Sequence, residues 1–203
     1  MNRVLNTSLV THRLWAKRVG EKQKTIRITM KRVPSVVSDV FNDAMSEVAY
    51  VSQIHVILDF AEPLDLTVLR AAFSELMKKR AVFAYRFIPR FARPYWERID
   101  ETALDLRAEI PRHTVPSSNL VAATERFMGR PMDHRVEPQL DALVLQHEGG
   151  ERLVLKVNHM AADAAGTKEF AYALAHLYSV MSLHPEFSIF LRRLESLKKS
   201  LAG

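Results

Sequence analysis

Two alternating apolar runs that meet at paired glycines constrain this chain more than any other stretch. Residues 141–147 (Asp-Ala-Leu-Val-Leu-Gln-His) and 152–157 (Arg-Leu-Val-Leu-Lys-Val) flank Glu148-Gly-Gly-Glu. Side chains alternate across a strand, so runs of this period read as a pair of strands. Gly149 and Gly150 supply the turn, because glycine takes positive φ without steric penalty. The second run then continues through Asn158-His-Met-Ala-Ala-Asp-Ala-Ala-Gly166 into an apolar-periodic stretch, 170–181, expected to be a helix. The strand thus delivers His159 to a strand-to-helix loop, with Asp163 further along it and Gly166 beyond. Such a loop can build a proton-transfer site: strand packing fixes the imidazole, and the carboxylate holds nearby structure in place.

The rest of the chain supplies sheet and helix around that hairpin. Ile54, Val56, Leu58 and Phe60 alternate with Gln53, His55 and Asp59, a second strong strand signal. Glu62-Pro-Leu-Asp ends it. Asp65 can then cap a helix that carries Val68, Leu69, Ala72, Phe73, Leu76 and Met77 on one face, with Lys78, Lys79 and Arg80 in the last turn where positive charge suits the dipole. Residues 83–99 read as extended, with breaks at Pro89 and Pro94. Ser117 or Ser118 opens another helix through Leu120, Ala123 and Phe127, stopping at Gly129. Residues 33–45 become briefly helix-like around Val40, Phe41 and Met45.

Bulk properties narrow the class. At 203 residues, 48% hydrophobic and 26% charged, the chain has the size and composition of one globular domain or one lobe of a larger one. With no cysteine, disulfides, a thiol nucleophile and thiolate metal sites are excluded, and a reducing, cytoplasmic setting fits. No run of about 18 apolar residues is present, so no membrane span is expected. A net charge of +6 is compatible with an anionic cofactor, an acidic protein or nucleic acid, and equally with a solvated basic surface.

Plainer readings stand beside the catalytic one. His159 can be satisfied by a backbone carbonyl at a strand end, and Asp163 can simply cap the following helix. His-x-x-x-Asp also places two metal ligands on one face, but two ligands rarely hold a metal, so no metal is expected. Arg86-Phe-Ile-Pro-Arg-Phe-Ala-Arg-Pro-Tyr-Trp interleaves arginines with aromatics in a way that can stack single-stranded nucleic acid. The same pattern more often marks an edge strand with its apolar side chains inward, and nucleic acid ranks last among the partners considered.

The order of these parts resembles the N-terminal half of the chloramphenicol acetyltransferase-like superfamily. That group includes the condensation domains of nonribosomal peptide synthetases, alcohol acetyltransferases and polyketide-associated acyltransferases. The resemblance spans roughly residues 46–178. It rests on the strand leading to Pro63-Leu-Asp-Leu-Thr-Val-Leu-Arg-Ala-Ala-Phe73, on Arg130-Pro-Met-Asp-His-Arg-Val-Glu-Pro-Gln-Leu140, and on Asn158-His-Met-Ala-Ala-Asp163, which is similar to the family's His-His-x-x-x-Asp-Gly motif. Two positions depart from that motif. Asn158 stands in place of the first histidine, and Ala164 stands where the motif has glycine, which is expected to restrict positive φ there.

What the resemblance implies is an α/β fold: a mixed sheet with helices mainly on one face, forming the N-terminal lobe of a two-lobed acyltransferase. Residues 1–45 would form an arm with peripheral elements, 46–184 the lobe, and 185–203 a helix or linker toward a second lobe. Family members are about twice as long, and that second lobe has no counterpart in this sequence. By resemblance, His159 is the general base and Asp163 a structural, orienting residue that usually acts through an arginine. Asn158 and Gly166 are supporting residues, and the loop amides near Gly166 are the local oxyanion donors. The acyl donor would be a coenzyme A or phosphopantetheine thioester, with no tightly held cofactor. The acceptor would be an alcohol or amine, and a carrier protein or a second-lobe chain would be the partner. A lobe on its own exposes an apolar face that invites pairing with another copy. The alternative is a non-catalytic relative serving as a binding or interaction module in a biosynthetic assembly.

Overall fold

In a computed structural model, residues 31–48, 53–100 and 110–184 are described. The elements run β1 (Arg32–Pro34), α1 (Val37–Val48), β2 (Gln53–Phe60), α2 (Leu66–Lys79), a 3-10 turn (Ala81–Ala84), β3 (Tyr85–Ile88), β4 (Tyr95–Arg98) and β5 (Arg112–Thr114). After these come a second 3-10 turn (Ser117–Asn119), α3 (Leu120–Gly129), β6 (Leu140–His147), β7 (Gly150–Asn158) and α4 (Ala164–Leu183). The expected N-terminal arm, through residue 30, and the expected C-terminal helix or linker, 185–203, lie outside the described residues.

Strand order divides the elements into two sheets. One has four strands in the order β2-β7-β6-β5, antiparallel except for the parallel β5–β6 pair. This is the mixed sheet expected from the sequence. The other is a small antiparallel sheet, β1-β4-β3, which the sequence did not announce as separate. In the glycine turn, Gly150 has φ +131, and a Cβ added there would lie 2.1 Å from the Phe60 carbonyl oxygen. Only glycine fits where the hairpin end meets the exit of β2.

Alternation along β7 sorts its two faces. Leu153, Leu155 and Val157 enter the main core with Leu69, Phe73 and Leu76 of α2 and with Phe170 and Leu174 of α4. Phe170 meets Phe73 and Phe83 edge-on at ring-centroid distances of 6.0 and 5.1 Å. Both long helices therefore lie on one face of the sheet. On the opposite face Arg152 donates to Thr124 Oγ1, and Lys156 donates to the carbonyls of Phe127 and Arg130 at 2.7 and 2.8 Å. These contacts seat α3 there. The helices are mainly on one face, as the pattern implied.

Local signals explain the helix starts. Asp65 caps α2 by accepting from the Thr67 and Val68 amides. The expected helix over 170–181 begins earlier, at Ala164, because Asp163 caps it. The boundary expected between residues 45 and 46 falls inside α1, which is tied into the lobe. Asp39 Oδ2 accepts from the Trp96 indole, and Asp43 Oδ1 lies 2.6 Å from His134 Nε2 and 2.8 Å from Arg135 Nε.

Candidate functional site

The turn after β7 is built from its first residue outward. Asn158 is 5% exposed and pairs with Gln53 of β2. Its amide N–H donates to the Gln139 carbonyl at 3.0 Å, its side-chain oxygen accepts from the Met160 amide at 2.9 Å, and its carbonyl accepts from Ala161. Such an Asx-type bond replaces a ladder partner and turns the chain sharply. Met160 then packs on the cluster of Tyr85, Phe87 and Trp96, which belongs to the small sheet. The turn is thus pinned at the junction of the two sheets, and His159 is left exposed between two fixed residues.

Asp163 is also exposed and acts at the other end of the loop. Its Oδ1 accepts from Gly166 N at 2.8 Å, and its carbonyl accepts from the amide and hydroxyl of Thr167. Among the described residues no arginine bonds it. Its bonds therefore run to the start of α4. The helix-cap reading of Asp163 is the one this geometry realises.

Two expectations about this loop need correction. Ala164 was expected to restrict a positive φ, yet it is the first helical residue, and no non-glycine residue among those described has positive φ. An alanine costs nothing there. Loop amides near Gly166 were expected to serve an oxyanion; the amide of Gly166 itself lies inside α4 and is already taken by Asp163. The glycine serves close packing instead. A Cβ at Gly166 would meet the Ala162 methyl at 3.3 Å and Asp163 Oδ1 at 3.4 Å.

Sequence reasoning missed the residues that hold the turn from behind. Gln139 is fully buried and donates from one side-chain nitrogen to the carbonyls of Tyr85, His134 and Glu137. Its main chain bonds Phe83 on one side and Asn158 on the other. Beside it, the buried pair of Asp43 and His134 locks α1 to the same loop. Burial pushes the Asp43 carboxyl up, but the hydrogen bonds from Arg135 and His134 more than offset it and leave it below its ordinary 3.8. A polar residue between Pro138 and Leu140 carries no periodic signal, and the resemblance, which takes in this segment, gives it no role.

No family model matches the chain, and no curated protein matches its sequence. Solved structures do match. The X-domain from teicoplanin biosynthesis is similar at TM-score 0.65 and 17% identity, over 83% of this chain and 40% of that one. The starter condensation domain of the rhizomide synthetase RzmA is similar at TM-score 0.61 and 14% identity, over 74% of this chain and 38% of that one. The epimerization domain from the third module of tyrocidine synthetase B is similar at TM-score 0.59 and 12% identity, over 75% of this chain and 35% of that one. Identities this low establish fold. The chain has the α/β fold of condensation-type domains, as the motif order implied, and it spans well under half the length of these neighbours. Among the described residues no helix is long and apolar enough to cross a membrane.

Proposed function

We propose that this chain is the histidine-bearing lobe of a condensation-type acyltransferase. In this reading an acyl group moves from a coenzyme A or carrier-protein thioester to an alcohol or amine, with His159 as general base. The observation that carries it is the exposure of the His159 ring on a turn whose neighbours, Asn158 and Met160, are fixed by buried bonds and packing. A group meant only to fill a strand end has no need of such a mount.

The chemistry follows from the mount. As the acceptor oxygen or nitrogen attacks the thioester carbonyl, the imidazole takes its proton. When the tetrahedral intermediate collapses, the carbon–sulfur bond breaks and the leaving thiolate receives that proton. A positioned base contributes typically about 10² to 10⁴-fold. No acyl-enzyme is needed, in keeping with a chain that lacks cysteine. With the Gly166 amide occupied, oxyanion donors would come from the other amides of the loop and from a second lobe, supplied by further sequence or by another chain. A thioester donor is supported by the rhizomide starter domain, whose structure includes a complex with C8-CoA.

Release of free coenzyme A from octanoyl-coenzyme A, with a panel of alcohols and amines, tests the reading. Wild-type protein is expected to turn over at least one acceptor, and His159→Ala to lose about two to four orders of magnitude of that rate. Equal rates for the two proteins would remove the catalytic role. No turnover across the panel would favour the interaction-module reading.

A further inference from the structure

A second feature lies at the edge of the small sheet and is lined by no residue of the His159 turn. A groove of about 620 Å³ runs between β1, the start of α1 and the β3–β4 hairpin, lined by Val36, Val37 and Val40 and by Arg32, Arg90 and Arg93. Val37 is 86% exposed, and Val36 and Phe41 beside it are also exposed, as is Phe91 at the hairpin tip. Isolated exposed apolar side chains need no explanation, but a contiguous set beside a concave surface does.

Charge says what the occupant must carry. Arg32 shares Glu97 with Arg86. No carboxylate among the described residues pairs with Arg90 or Arg93. Asp39, the acidic residue nearest the valines, is committed to the Val36 amide and the Trp96 indole. Among the described residues the rim is therefore cationic, with no carboxylate paired to Arg90 or Arg93, and the floor is aliphatic.

We infer that this groove docks an acidic segment of a partner protein that inserts two or three bulky apolar side chains. Three alternatives fit less well. Single-stranded nucleic acid stacks on aromatic faces that line its groove, but Phe41 and Phe91 lie outside this lining, and guanidinium groups of Arg32 and Arg90 stand 4.9 and 5.6 Å from the centroid of Tyr95, the ring that does line it. A membrane surface would meet a convex apolar ridge, whereas these valines line a concavity. A second copy would bring the same arginines against these, and like charges oppose that pairing. Nor does the β1 edge invite strand addition: it is three residues long and ends in Pro34, which has no N–H to offer.

The test is selection of a phage-displayed library of random 12-residue peptides on the full chain, followed by anisotropy titration of the synthesised binders. Arg90→Glu/Arg93→Glu and Val37→Asp serve as comparison proteins, each first shown to unfold at the wild-type urea midpoint. The expected binders carry Asp or Glu around leucine, isoleucine or phenylalanine. They should weaken at least tenfold on both variants and lose affinity as salt rises. Three results would overturn the inference: recovery of no binder, recovery of binders without acidic enrichment, or equal affinity for wild type and variants. Tighter, Arg90- and Arg93-dependent binding of an oligo-dT strand or of phosphatidylglycerol vesicles would overturn it as well.

Discussion

Replacing Glu151 with alanine should cost about 4 kcal/mol of folding stability. Its side chain is 1% exposed at the start of β7, where Oε2 accepts from Leu64 N at 2.8 Å and from Arg112 Nη2 at 3.1 Å. Arg112 Nε stands 3.0 Å from Oε1 without the alignment of a hydrogen bond, so that contact adds charge attraction alone. Removing the carboxylate strands the buried Leu64 amide, worth about 1–3 kcal/mol. It also leaves Arg112 without its anion. A fully buried pair broken this way loses about 3–5 kcal/mol, but Arg112 keeps 29% of its side-chain surface in solvent, so about half of that is expected. Against a typical total of about 5–15 kcal/mol the loss is large. In Tm it should read as a fall of roughly 8–16 °C for a chain this size. Glu151→Gln keeps an acceptor for Leu64 and loses only the charge, so it should cost about 1–2 kcal/mol. Urea unfolding at pH 7 on all three proteins measures both numbers. An alanine variant within about 1 kcal/mol of wild type, or a glutamine variant as unstable as alanine, would refute the argument.

The other expectations concern the turn, the hairpin and pH. Asn158→Ala removes a buried bond of about 1 kcal/mol, and hydrogen exchange at the Met160 amide should speed up while exchange in the core of α2 does not. Gly150→Ala faces both its positive φ and the Phe60 carbonyl, so a loss of roughly 3 kcal/mol is expected in urea, with failure to accumulate folded protein as the extreme. Burial, then the charge of Lys156, hold His55 below its ordinary 6.5. The unfolded chain therefore binds that proton first, and stability should fall as pH drops from 7 to 5, a slope that His55→Leu should flatten. Asp43 adds a second acid-sensitive step. Its folded carboxyl lies below 3.8, so its contribution is present above that pH and lost as pH falls through the lower, folded value.

What could be read from the sequence was whatever repeats with a period. The β6–β7 hairpin and β2 alternate cleanly, and α2 shows both its apolar stripe and its Asp65 cap, so these elements and the order linking them to condensation-type domains were legible. β5 was not. Arg112-His-Thr is three residues long between Pro111 and Pro116, and its pairing with β6 is parallel and distant in sequence. The separate small sheet was hidden for a similar reason, since which strands pair is decided by packing of Phe87 and Trp96, not by their alternation. At the candidate site, the motif positions of His159 and Asp163 could be named. The work of their neighbours could not, because Asn158, Gln139 and the Asp43–His134 pair act through individual hydrogen bonds, some local and some across long stretches of chain, that leave no periodic trace. Asp163 shows the limit most clearly: an aspartate before a helix looks the same whether it answers an arginine or only its own helix.

The carboxylate that His134 and Arg135 share also decides where this polypeptide can be trimmed. A shortened chain starting at residue 46 would keep every strand of the four-stranded sheet and both long helices, yet it would discard Asp43 and Asp39 together. A buried imidazole, a guanidinium and an indole N–H would each lose a bond to Asp43 or Asp39 at once, just behind the glutamine that braces the His159 turn. Any minimal version of the lobe therefore has to begin before α1.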